Sequence, residues 1–176
     1  MQKDEIAKLI FGASHLTGEF KLRSGQLSNE YFDKYRFESK PNLLTEIAKA
    51  MKPLVPADTE VLAGLEMGGI PVATAVSMQT GLEAAFVRKK AKEYGTMKIC
   101  EGVDVNNKKV CIVEDIVTTG GQIIESVKEL RKLGANIEVV LCVILRDPKA
   151  IELLANEGLE LRAAFTMEYI KEAVSS

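Results

Sequence analysis

The chain has 176 residues, 47% of them hydrophobic and 27% charged, the usage of one soluble globular domain long enough to bury a core without staples. With 23 basic against 25 acidic side chains the formal charge is −2, which argues against a dedicated nucleic-acid binder, and no apolar run approaches membrane-spanning length. Three cysteines without a CxxC spacing, Cys111 and Cys142 inside apolar runs, fit a reduced, cytoplasmic protein rather than a disulfide scaffold.

In chain order, residues 4–16 carry Ile6, Leu9 and Ile10 on one face and predict a helix that includes His15, the only histidine. Residues 20–25 (FKLRSG) read as an extended piece ending in a turn, and residues 31–37 (YFDKYRF) as an aromatic-rich strand. Pro41 opens a helix whose apolar face is Leu43, Leu44, Ile47, Ala48 and Met51, and Pro53 stops it. A βα rhythm follows. Residues 61–64 form a short strand, Gly68-Gly69 a loop, and residues 70–79 a helix opening with Pro71. Residues 84–88 form a strand, and the polar stretch 89–107, with Gly95 and Gly102, is a loop or a hairpin. Residues 110–113 form a strand, 121–133 a helix stopped by Gly134, and 137–145 an almost continuously apolar strand expected to be covered on both faces. Residues 148–156 form a helix, 161–165 a strand, and the last residues a short helix. The expected fold class is α/β, a parallel sheet with helices on both faces, as one domain over residues 1–176. Ligands of such sheets bind beyond the carboxyl ends of the strands.

One of those ends carries most of the chemistry: VCIVEDIVTTGGQ, residues 110–122. Two adjacent carboxylates, Glu114 and Asp115, sit at the strand's open end, followed by Ile116, Val117 and a Thr118-Thr119-Gly120-Gly121 turn that leads into a helix at Gln122. Backbone N–H groups at such a turn, with the helix dipole, favour a phosphate, and the glycines permit close approach and positive φ. The carboxylates are acceptors for a cis-diol, directly or through Mg²⁺-bound water. A 5-phosphorylated ribose has both features. Neither a Walker loop nor a GxGxxG fingerprint is present. Arg88, Lys89, Lys90 and Lys92 follow another strand end; alone they read first as a solvated face, and beside a phosphate-loop candidate as an anion site. Tyr31 and Phe32 read either as core packing or as an aromatic wall.

VCIVEDIVTTGGQ resembles the motif with which type I phosphoribosyltransferases bind phosphoribosyl pyrophosphate (PRPP). Three further stretches resemble the orotate phosphoribosyltransferases among them: FKLRSGQLSNEYFD (residues 20–33), LAGLEMGGIPVA (62–73) and VRKKAKEYGT (87–96). The resemblance implies transfer of phosphoribose from PRPP to orotate, giving orotidine 5′-monophosphate in pyrimidine biosynthesis, with residues 1–40 forming a small substrate hood, a reduced one because the chain is short for that family. It places PRPP on Arg88, Lys89, Lys92, Tyr94, Glu114, Asp115, Ile116, Val117, Thr118, Thr119, Gly120, Gly121 and Gln122. Lys89, Lys92 and Asp115 are the catalytic candidates, and orotate falls to Arg23, Tyr31, Phe32, Thr118 and Arg146. The family often has His where this chain has Tyr94, Lys where it has Arg23, and Asp-Arg where it has Arg146-Asp147. The implied cofactor is Mg²⁺, held mainly through PRPP and not by a side chain directly, with water bridges to Glu114 and Asp115. The implied assembly is a homodimer with shared active sites. Two alternatives remain at this point, a purine-type phosphoribosyltransferase and a non-catalytic PRPP-sensing regulator. Retention of Lys89 and Lys92, and the lack of room for a DNA-binding module, speak against the regulator.

Overall fold

A computed structural model describes residues 1–22, 25–90 and 99–176. Helix α1 (Lys3–Ser14) leads into a hairpin of β1 (His15–Lys21) and β2 (Leu27–Phe32), then a single turn of helix, α2 (Tyr35–Glu38), and α3 (Pro41–Met51). From there strands and helices alternate: β3 (Val61–Leu65), α4 (Glu66–Thr80), β4 (Glu83–Val87), β5 (Cys100–Glu101), β6 (Lys109–Val117), α5 (Gly121–Lys132), β7 (Asn136–Leu145), α6 (Lys149–Ala155), β8 (Glu160–Thr166) and α7 (Met167–Ser175). The main sheet has the order β5-β4-β3-β6-β7-β8 and is parallel except for β5, which pairs antiparallel with β4 at the edge. The expected parallel α/β sheet is therefore present, with β5 added antiparallel at its β4 edge.

Each face of the sheet buries its own core. Ile10, Phe37, Ile47, Val72 and Ile170 bring α1, α2, α3, α4 and α7 to one face; Ile123, Leu130 and Leu154 bring α5 and α6 to the other. β7 lies between them with a run of seven buried residues at its carboxyl end, as its unbroken apolar sequence requires. Each fully buried Leu or Ile contributes roughly 1.5–3 kcal/mol. The first and last helices are clasped together: the Tyr169 hydroxyl donates to Asp4, and the Lys3 ammonium lies 4.7 Å from the Tyr169 ring centroid.

Several sequence expectations are corrected. Residues 31–37 are not one strand. β2 ends at Phe32, the Asp33 N–H donates to the Ser14 carbonyl to close the hairpin, and the Asp33 carboxylate accepts from Tyr35 N at 3.2 Å to start α2. The aromatic run mixes a strand residue, Phe32, packed against the core, with a helical one, Phe37, fully buried. His15 is not helical; it opens β1, stacks on Phe11 and pairs with Glu30 at 2.7 Å. Gly68-Gly69 is no loop, because α4 begins at Glu66 and Pro71 lies inside it. The strand expected to end at Val113 runs on to Val117, so Glu114 and Asp115 lie within β6 instead of beyond it.

Candidate active site

The strand order reverses direction between β3 and β6. From β3 the chain moves outward to β4 over one face by α4, and from β6 it moves the other way to β7 over the opposite face by α5. Open α/β sheets bind ligands in the crevice at such a switch point. Here the crevice is bounded by the first turn of α4 and by residues 114–122.

At the end of β6, Thr118 and Thr119 are exposed, Gly120 takes φ +81°, and α5 starts at Gly121. Only glycine adopts that φ without strain. No side chain caps α5, so the first-turn amides of Gly121, Gln122 and Ile123, which have no intrahelical acceptor, form a donor cluster at the positive helix end. Val117 is buried and Ile116 packs against the core, so their side chains hold the strand in place. The Arg146 N–H donates to the Val117 carbonyl at 2.8 Å, which puts exposed Arg146 directly beside Thr118.

The two carboxylates differ. Asp115 is 1% exposed and points toward α4. Its Oδ2 is 2.6 Å from the Lys34 ammonium and its Oδ1 accepts from Ile116 N. Gly68 makes room for it: a Cβ there would stand 1.8 Å from Asp115 Oδ2 and 2.9 Å from Lys34 Nζ. Glu114 alternates to the other face, is only partly covered, and accepts from the Asp115 N–H at 3.3 Å. Burial, then the charge of Asp115, pushes the Glu114 carboxyl up to about 8. Glu38, 8% exposed on α2, joins the group; burial, then the charge and hydrogen bond of Asp115, lifts it to about 9. Burial pulls Lys34 down, but its hydrogen bond to Asp115 and the surrounding carboxylates outweigh that and leave it above the ordinary lysine value. Burial beside the Lys34–Asp115 pair thus favours the protonated form of Glu38 and Glu114.

The cationic run begins beyond β4. Arg88, Lys89 and Lys90 are exposed; Arg88 N donates to Ile99 O and its guanidinium faces Glu101 at 3.5 Å. These three residues line a cleft of about 520 Å³ with Glu66, Met67 and Ile70 from the end of β3 and the start of α4. Glu66 holds a left-handed φ of +55°, a conformation that costs a non-glycine residue roughly 1 kcal/mol or more. Lys89 also lines a cleft of about 700 Å³ that runs along the flank of α5 and includes Gln122. On the hairpin, Tyr31 is 45% exposed and tilts against Phe20 at 5.6 Å, while Phe32 takes the core-packing reading. Arg23, Lys92, Tyr94 and Gly95 lie outside the described residues.

The structure thus brings Glu114, Asp115, residues 116–122, Arg88, Lys89 and Arg146 to one end of the sheet. It adds two residues absent from the sequence reading, Lys34 and Glu38. Their i, i+4 spacing was the available signal, hidden because residues 31–37, with Lys34 among them, read as a strand ending before Glu38.

The chain matches the family described as "Phosphoribosyl transferase domain" over residues 36–156. A curated orotate phosphoribosyltransferase from Nocardioides sp. is 50% identical over 161 residues, covering 92% of this chain and 90% of that protein. The crystal structure of Mycobacterium tuberculosis H37Rv orotate phosphoribosyltransferase in complex with Fe(III) dicitrate superposes with a TM-score of 0.87 at 31% identity, over 96% of this chain and 98% of that one. The same enzyme in complex with PRPP superposes with a TM-score of 0.82 at 28% identity, again over 96% and 98%. Against these relatives the chain is not short, and the expectation of a reduced hood falls.

Proposed function

Because the chain belongs to the orotate phosphoribosyltransferase family, we propose that it transfers the 5-phosphoribosyl group of PRPP to orotate, releasing pyrophosphate and forming orotidine 5′-monophosphate for pyrimidine nucleotide synthesis. The observation that carries this reading is the arrangement at the switch-point end of the sheet: an uncapped helix N-terminus after Gly120, the Glu114–Asp115 pair on β6, and the exposed cations Arg88 and Lys89 beyond the neighbouring strand end. Each matches one part of PRPP. The α5 amides with the Thr118 and Thr119 hydroxyls suit the 5-phosphate. Glu114, the more exposed of the two carboxyls, suits a ribose hydroxyl, with the buried Asp115 fixed beside it by Lys34. Arg88 and Lys89 suit the pyrophosphate, whose negative charge grows as it leaves and is best stabilised by fixed cations.

In this reading the orotate nitrogen attacks the anomeric carbon, the bond to pyrophosphate breaks, and the sugar passes through an oxocarbenium-like state. Orotate is an anion and needs no strong general base, so positioning and charge stabilisation dominate. Exposed Tyr31 on the hairpin and Arg146 beside Thr118 are the groups for the planar, anionic base, with Arg23 the further candidate. In this reading Mg²⁺ would arrive on the PRPP oxygens as part of the substrate and neutralise pyrophosphate charge, with water bridges to Glu114 and Asp115. The reading includes a homodimer with shared active sites and a cytoplasmic setting; no helix among the described residues is long and apolar enough to cross a membrane.

The test is consumption of orotate absorbance with PRPP, with and without Mg²⁺, beside a panel of purine bases. Orotate turnover that requires Mg²⁺ supports the reading. Turnover of hypoxanthine, guanine or adenine without orotate would replace it with the purine alternative, and PRPP binding without turnover of any base would replace it with a sensor.

A further inference from the structure

Asp33, Lys34 and Glu38 join the hairpin to the sheet. The hairpin is closed at its base by Asp33 N–H to Ser14 O, and the next residue, Lys34, reaches the sheet. Lys34 and Glu38 stand one helical turn apart, so their head groups project to the same side. Both bear on the same partner: the Lys34 ammonium is 2.6 Å from Asp115 Oδ2, and the buried Glu38 carboxyl feels the Asp115 charge. Glu38 Oε1 is buried without a hydrogen-bond partner. An ionised carboxylate there would leave a charged oxygen unpaired next to Asp115, whereas a carboxylic acid leaves only a neutral oxygen and has a proton to donate. Asp115 has no free space behind it, because its carboxylate fills the place a side chain at Gly68 would need. Its N–H in turn donates to Glu114 Oε2 at 3.3 Å.

We propose that Lys34 and Glu38 are positioning residues that hold Asp115 in one rotamer and thereby fix the Glu114–Asp115 pair for the ribose, tying the hairpin that faces the base to the strand that faces the sugar. The proposal rests on the phosphoribosyl-transfer reading above. Neither residue needs to touch substrate. Lys34 supplies a fixed countercharge and Glu38 a hydrogen-bond donor, so a shift of the hairpin base is transmitted to the sugar site through two side chains.

The experiment is orotate–PRPP kinetics and thermal unfolding of Lys34→Met, Glu38→Met and Glu38→Gln, each alone and combined with Asp115→Asn. Lys34→Met and Glu38→Met are expected to lower kcat/KM for PRPP by up to about 100-fold, the scale of an ångström-sized misplacement, with KM for orotate nearly unchanged. Glu38→Gln keeps a donor and is expected to stay within about threefold of the parent enzyme. In the Asp115→Asn background, Lys34→Met and Glu38→Met should cost nothing further. Glu38→Gln as impaired as Glu38→Met overturns the donor role. Full additivity with Asp115→Asn overturns action through Asp115. A lowered KM for PRPP in Lys34→Met overturns the proposal too, since Lys34 would then be a competitor for the sugar's site. Should Glu38→Met not fold, the Lys34→Met cycle carries the same decision. An unmodified protein that turns over no base refutes the transfer reading itself and this proposal with it, a result distinct from active parent enzyme with additive variants.

Discussion

Replacing Gly68 with Ala tests the packing on which the acidic cluster depends. An alanine Cβ would arrive 1.8 Å from Asp115 Oδ2, 2.6 Å from its Cγ and 2.9 Å from Lys34 Nζ. Real Cβ contacts do not fall below 3.0 Å, so the carboxylate must retreat by more than 1 Å. At an effective dielectric of about 20, lengthening the 2.6 Å Lys34–Asp115 contact to about 3.8 Å loses roughly 2 kcal/mol. The Lys34 side chain is 35% exposed, and solvent screening brings the loss nearer to about 1 kcal/mol. Overpacking adds about 1–3 kcal/mol. The expected total of about 2–4 kcal/mol lowers Tm by roughly 5–15 °C in a domain of this size. Urea unfolding of the variant gives the free energy, and orotate–PRPP assays at a temperature where it remains folded give the activity, which should fall with it. Gly121→Ala is the internal control, because nothing lies within 4 Å of a Cβ at that position; its stability should be unchanged or raised by up to about 1 kcal/mol through helix propensity. A Gly68→Ala protein as stable as the control would refute the placement of Asp115 against α4.

Two further outcomes follow from the site's charges. Lys89→Ala should lower turnover by about 100- to 1000-fold while PRPP affinity falls far less, measured by steady-state kinetics against equilibrium binding; unchanged kcat would remove Lys89 from leaving-group stabilisation. The raised Glu38 and Glu114 carboxyls set a pH dependence of stability. A carboxyl whose folded pKa lies above its unfolded value near 4.5 holds its proton more tightly in the fold, so its contribution is complete below pH 4.5 and is lost as pH rises toward about 9 for Glu38 and about 8 for Glu114. Each such group removes up to about 1.4 kcal/mol per pH unit in that window. Glu38→Gln should therefore flatten the decline in unfolding free energy between pH 5 and about pH 8, and an unchanged slope would mean that Glu38 is ionised in the fold.

Much of this architecture was legible in the sequence where the signal is local. The apolar run of β7 announces a strand covered on both faces, and the spacing of Ile47, Ala48 and Met51 in α3, or of Val127 and Leu130 in α5, announces helices laid on a sheet. The phosphate-loop candidate was legible because its parts are contiguous from Glu114 to Gln122. What failed to read was short or long-range. α2 has four residues, too few for any periodicity, so Lys34 was absorbed into a strand and Glu38 fell in the gap before the next helix. Gly68 and Gly69 looked like a turn because paired glycines usually are one; here they let α4 approach β6 so closely that a Cβ at Gly69 would stand 2.4 Å from the Val113 carbonyl oxygen. β6 was cut short because two adjacent acids are poor strand residues on propensity alone. Their tolerance comes from Lys34, which is distant in the chain.

The clasp between α1 and α7 has a consequence for how the molecule comes into being. Lys3 and Asp4 complete their contacts only with Phe165 and Tyr169, and Tyr169 is made 165 residues after Asp4. The strands β3, β4 and β6 and the helices between them have emerged by then and can begin to condense. The hairpin of β1 and β2 grows directly out of α1, and a two-stranded ribbon is marginal alone. Vectorial synthesis therefore makes α1 and the hairpin well before the α7 support they dock on, and the face that would meet the base matures after the crevice that would meet the sugar phosphate.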